Sequence, residues 1–231
     1  MRTSHIVLAM SLVLLMLMGI TSIATAAPAP DLVNMSFEDP QTTGTYKGAI
    51  PGWYVYDRYG IGMDTSVMYA PGLATDGVQV GYAREGWFAQ HWVLSNGTWP
   101  ATVAGNTYTF SADLGIDEAS AAQGLRPRTI SMCVYATPDM NTWEFLAKLD
   151  LNLIDLAPGT MQHFSTSFVC APENNNVGWS LWLGFDQTEA NSLTLIDNAN
   201  LDITPVPEPA SLASLGLGLM GLVGVISRKR N

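Results

Sequence analysis

Few side chains in this 231-residue sequence carry reactive chemistry, and none stands in a catalytic spacing. Two histidines fall in the body of the chain, His91 and His163, far apart and outside any H-E-x-x-H zinc pattern. No G-x-S-x-G nucleophile turn and no Walker-type glycine loop occurs. Glycosidase chemistry needs two facing carboxylates, and with 20 acidic residues the sequence cannot select a pair. No catalytic residue is therefore assigned. What the chain does have in quantity is aromatic surface, with seven Trp and eight Tyr. An exposed ring packs against the apolar face of a sugar while neighbouring amides and carboxylates take its hydroxyls. Strand parity singles out Trp182, which alternates against Trp179, Leu181 and Leu183 and lies near Asp186 and Gln187. Trp92 with Gln90 alternates in the same way against Trp87, Ala89 and His91. Trp182, Asp186, Gln187, Trp92 and Gln90 are the ligand-binding candidates; burial in the core is the competing role for any single Trp.

The elements that must position these residues are strands. Short segments rich in Val, Ile, Thr, Tyr, Phe and Trp recur every dozen or so residues, separated by Gly, Pro, Asn and Asp clusters. Strands are predicted near 32–38, 53–56, 78–84, 87–93, 107–114, 129–136, 145–151, 163–169, 179–185 and 193–203. Tyr108, Phe110, Ala112 and Leu114 share one side of their strand, and Thr107, Thr109, Ser111 and Asp113 the other. Such alternation marks antiparallel strands with one wet face. No stretch of the body shows helical spacing. The expectation is an all-β, antiparallel β-sandwich of the jelly-roll kind over residues 28–204.

Composition bounds the function. At 48% hydrophobic and 13% charged the chain is no disordered segment. Without Arg2, Arg228, Lys229, Arg230 and Glu208, residues 28–204 hold 6 basic and 19 acidic side chains, net −13. That balance excludes a nucleic-acid partner and suits a solvated, exported surface.

The two ends give the destination. Arg2 and His5 precede an apolar run from Ile6 to Ile20 and an A-x-A site at Ala24-Thr25-Ala26, the pattern of a secretory signal peptide over residues 1–27; an uncleaved anchor is the alternative, disfavoured by the run's length. At the other end, Val206-Pro207-Glu208-Pro209 leads into an uncharged stretch from Leu212 to Ile226 and then Arg228-Lys229-Arg230. Counted over about 210–227, that stretch is just long enough for a single transmembrane helix. The basic cluster would stay cytoplasmic, leaving the body outside.

In order and position, Pro207-Glu208-Pro209, the short apolar helix and the basic terminus resemble the PEP-CTERM sorting signal (205–231) of exported bacterial proteins. The resemblance implies an exosortase partner, a membrane-embedded cysteine protease-transpeptidase that cuts near the triplet. It also implies a Gram-negative source making exopolysaccharide, transient residence in the inner membrane, and a final place at the cell surface, in biofilm or in the extracellular matrix. A plain single-pass anchor is the alternative.

Three patterns in the body resemble jelly-roll domains of the galactose-binding-like, carbohydrate-binding-module type. They are Leu32 to Glu38 followed by Ile50-Pro51-Gly52-Trp53, then Val103 to Asp113, then Leu195-Ile196-Asp197-Asn198-Ala199-Asn200-Leu201. The resemblance implies a structural Ca²⁺ where the first and last strands meet, held by Glu38 and Asp197 with carbonyl oxygens; carboxylates suit that hard cation. The other reading is that both are turn acids.

Export also bears on Cys133 and Cys170, the only cysteines, which an oxidising compartment would allow to pair. A bridge closing about 38 residues would contribute roughly 4 kcal/mol. Parity is against it, placing Cys133 on a wet face with Thr129 and Ser131, so the disulfide stays open. The expectation taken forward is an exported β-sandwich that binds extracellular polysaccharide or builds the matrix. An exported polysaccharide hydrolase or lyase, and a protein-binding module without glycan affinity, are the alternatives.

Overall fold

The computed structural model describes residues 33–47, 50–56, 66–83, 87–91, 101–125, 129–139, 141–187 and 192–205. Two antiparallel sheets face one another. One has the order β1-β3-β4-β11-β6-β9 and the other β2-β5-β10-β7-β8. The strands are β1 (Thr45–Lys47), β2 (Tyr54–Tyr56), β3 (Ser66–Tyr69), β4 (Gln79–Ala83), β5 (Trp87–His91) and β6 (Asn106–Ile116), followed by β7 (Thr129–Thr137), β8 (Glu144–Asn152), β9 (Thr160–Cys170), β10 (Ser180–Gln187) and β11 (Thr194–Pro205). The predicted jelly-roll β-sandwich is the observed architecture.

Period-two alternation builds the core. Tyr108, Phe110, Ala112 and Leu114 of β6 meet Ile130, Met132 and Val134 of β7 and Leu181, Leu183 and Phe185 of β10 between the sheets. Trp53 packs between Phe37, stacked at 4.9 Å, and Phe185 at 6.0 Å. Phe110 closes on Phe185 at 5.2 Å. Each fully buried large apolar side chain adds about 1.5–3 kcal/mol.

Three local expectations differ. Residues 33–38 form turns where a strand was predicted, because Asn34 (φ 55°) and Phe37 (φ 61°) are left-handed. A phenylalanine there is uncommon, and burial of its whole ring is the compensation. Gly81 makes room for it, since a Cβ at that position would stand 2.6 Å from the Phe37 ring. The short strands β1, at the sheet edge, and β3 beside it were not among the predicted strands; three and four residues are too few for alternation to register. A five-residue helix, α1 (Glu118–Ala122), is capped by Asp117, whose carboxylate accepts the Ser120 N–H at 2.8 Å.

Cys133 and Cys170 are free thiols, a correction to the disulfide. Cys133 clusters with Tyr135 and Trp182 on the outer side of the five-stranded sheet, whereas Cys170 ends β9 inside the inter-sheet core. A sheet lies between them, and no side-chain rotation brings their sulfurs together. Burial pushes the Cys133 thiol up to about 12. The signal segment, Pro207, Glu208, Pro209 and the apolar stretch after them lie outside the described residues. Among the described residues no helix is long and apolar enough to cross a membrane.

Candidate functional site: an aromatic face on the five-stranded sheet

Register places the outward side chains of this sheet in rows. Phe145, Tyr135 and Trp182 occupy successive positions across β8, β7 and β10. The next row runs Lys148, Cys133, Gly184, and the one after it Asp150, Ser131, Asp186. A register shift between Val134 and Tyr135 brings Phe145 opposite Tyr135.

The first row is an aromatic cluster. Tyr135 and Phe145 stand 4.7 Å apart between centroids. Trp143, just ahead of β8, meets Trp182 edge-on at 4.9 Å and Tyr135 at 6.5 Å. Trp182 was expected to be the exposed ring. It lies on the expected side of β10, but it is only 4% exposed, because its neighbours cover it. The solvent-facing rings are Trp143, 40% exposed, and Phe145, 53% exposed.

Alternation could not single out Trp143, which stands outside any strand. The local signal was Asp139, whose carboxylate accepts the N–H groups of Asn141 (2.9 Å) and Thr142 (2.8 Å) and so fixes the loop carrying the ring. Those donors, Thr142 foremost, hold Asp139 below the usual carboxylate range. Below the rings, Lys148 pairs with Asp150 at 2.8 Å and passes 5.9 Å from the Phe145 centroid. The hydrogen bond from Lys148 lowers the Asp150 carboxyl, and Asp150 in turn raises the Lys148 ammonium.

The other ligand-binding candidates separate. Gln187 is 1% exposed. Its amide donates to the Thr129 carbonyl at 3.0 Å and its oxygen accepts from Thr194 at 2.6 Å, tying β7 and β11 to β10. It is a structural clamp, a correction to its assignment as a ligand contact. Asp186 shares the outer face with Trp182, four residues further along β10. Trp92 lies outside the described residues, and Gln90 is placed by its backbone opposite Leu183.

Glu38 and Asp197 grip one loop from two directions. Asp197 accepts the N–H groups of Thr75 (2.6 Å) and Asp76 (2.9 Å), and Glu38 those of Val78 and Gln79, both at 2.7 Å. Thr75 Oγ1 joins Asp197 to Asp113, which also takes His163 Nδ1 at 2.8 Å. Burial raises the Asp197 carboxyl to about 6 despite its donors. Burial opposes ionisation of Asp113 too, but hydrogen bonds from Thr75, His163 and Asn198 outweigh it and lower that carboxyl. Two carboxylates fall short of the six to eight oxygens calcium takes, so backbone carbonyls would have to complete a site. Among the described residues no group of three or more His, Cys, Asp or Glu could hold a metal.

A family model described as HpiC1 cyclase matches residues 28–202. The chain belongs to the HpiC1-like family. This HpiC1-like protein also carries a PEP-CTERM protein-sorting motif over residues 205–230, which marks it as exported and exosortase-processed. No curated protein matches it in sequence. Among solved structures it resembles a cyclase from Fischerella sp. TAU, with 20% identity and TM-score 0.63 over 80% of this chain and 100% of that one. The cyclase from the same organism in complex with 4-(1H-indol-3-yl)butan-2-one gives 20% identity and TM-score 0.62 over 79% and 100%. The CBM22-1 xylan-binding domain of Paenibacillus barcinonensis Xyn10C gives 16% identity and TM-score 0.49 over 79% and 100%. At these identities the HpiC1-like protein shares a fold with the cyclase structures.

Proposed function

We propose that this exported HpiC1-like protein is a glycan-binding protein of the cell surface or matrix, and that its ligand lies against Trp143 and Phe145. The observation that carries this is the pair of exposed rings held in place by buried Trp182 and Tyr135. An exposed Trp is costly to keep in water, and a rigid one offers a sugar ring an apolar platform at little entropic cost. The Lys148–Asp150 pair beside it supplies donors and acceptors for hydroxyls. Pull-down of the full-length protein with insoluble polysaccharides, scoring retained protein and released sugar ends, is the test. Retention without release, lost in Trp143→Ala, supports a binder; retention with release makes the protein a hydrolase or lyase instead.

Family membership favours a second reading, cyclase chemistry on a small aromatic molecule at the same rings. An indole stacks on Trp143 by the same physics as a sugar, and Asp150 and Asp186 are acids placed on that face by the register. Titration with 4-(1H-indol-3-yl)butan-2-one, followed by Trp fluorescence, separates the readings: saturable quenching that Trp143→Ala abolishes, with no glycan retention, favours the cyclase.

A further inference from the structure

β8 and β9 are the edge strands of the two sheets, and the sandwich opens between them. A cleft of about 330 Å³ lies there, formed by Glu144, Phe145 and Leu146 of β8, Phe168 of β9, and the turn Glu173 to Asn176. Phe145 belongs to both the aromatic face and this cleft, so the two surfaces are continuous. The turn is rigid. Asn174 N–H donates to the Ala171 carbonyl at 3.0 Å, Gly178 N–H to the Thr102 carbonyl at 2.8 Å, and the Asn176 carbonyl accepts Trp179 N–H at 3.2 Å and the Thr102 hydroxyl.

One polar atom is left over. Asn176 lines the cleft at 5% exposure, and its Oδ1 is buried without a hydrogen-bond partner. Native interiors seldom tolerate such an atom, but, being fully buried, it offers a ligand in the cleft no surface to reach. The accessible lining states what kind of ligand the cleft suits. Glu144 and Glu173 can only accept, the three asparagines both accept and donate, and Phe145 and Phe168 supply apolar faces. That is a lining for hydroxyls on an apolar ring. Among the described residues no Lys, Arg or His lines the cleft, so an anionic ligand would meet two carboxylates without a counter-charge.

We infer that this cleft is the hydroxyl-reading half of the ligand site and that it selects a neutral glycan over an anionic one. The inference rests on the glycan-binding assignment of the aromatic face. Ring stacking on Trp143 and Phe145 supplies affinity, and the cleft supplies the choice of sugar.

The test is affinity electrophoresis of the full-length protein in soluble neutral glycans (β-glucan, mannan and xylan) and in polygalacturonate. Wild type is expected to bind a neutral glycan and to ignore polygalacturonate. Glu144→Gln with Glu173→Gln is expected to weaken neutral-glycan binding about tenfold, the effect of losing one or two charged acceptors. These side chains are exposed, so folding is not at stake. Glu144→Lys with Glu173→Lys is expected to create binding to polygalacturonate. Variants that bind as wild type does, while Trp143→Ala does not, would overturn the cleft and leave the aromatic face standing. Preference of wild type for polygalacturonate would also overturn it. Absence of wild-type binding to every glycan would overturn both.

Discussion

Trp143 meets Trp182 edge to face, with ring centroids 4.9 Å apart and planes at 85°. The buried ring fixes the exposed one, and the two divide the work: Trp182 holds the fold of the face, and Trp143 presents it.

Substitution should separate these roles. Trp182→Ala opens a cavity in a covered site and is expected to cost about 3–5 kcal/mol. Trp143→Ala loses an edge contact, about 1 kcal/mol, and with it ligand retention. Thermal unfolding alongside polysaccharide pull-down checks both; equal destabilisation by the two variants would contradict the arrangement.

Free, buried thiols make a redox prediction. Reductant is expected to leave the melting temperature unchanged, because no bridge joins Cys133 to Cys170. A thiol reagent should label neither until the protein unfolds, since only the thiolate reacts and burial has pushed Cys133 to about 12. Labelling of the native protein at neutral pH is the contrary result.

Asp197 sets a pH dependence. Its folded carboxyl titrates near 6 against an ordinary 3.8, so the folded state holds a proton that the unfolded state has released. Its contribution to stability is full below 3.8 and is lost as pH rises through about 6, amounting to about 3 kcal/mol. Asp113, shifted down, works in the opposite sense and loses its contribution as pH falls. With chelator present, Asp197→Asn is therefore expected to flatten the melting temperature between pH 4 and 6.5, and a parallel curve for wild type and variant would remove the assignment.

We propose that the negative charge Asp197 carries at neutral pH is offset by calcium shared with Glu38. Chelation at pH 7.5 should then lower the melting temperature, and Glu38→Gln should abolish that response. A melting curve unmoved by complete metal depletion would leave the two carboxylates as loop clamps alone.

Much of the sandwich was legible because strand alternation is a local property. Residues 106–116 and 180–187 state in their own order which side chains face inward, and the structure agrees on Phe110, Leu114, Leu181 and Phe185. The side of β10 that carries Trp182 was legible for the same reason. Whether that side was wet was not, because exposure depends on what crosses over it, and Trp143 comes from a loop 39 positions away. Gln187 shows the same limit: parity and polarity suggested a ligand contact, while partners from β7 and β11 made it a clamp. By itself, then, the sequence determined the fold class, the sorting motif and the inward faces of β6 and β10, all written in local stretches of chain. Tertiary structure alone decided which aromatic rings reach solvent, that the cysteines stand on opposite sides of a sheet, and that a cleft opens between two edge strands, because each depends on packing between distant segments.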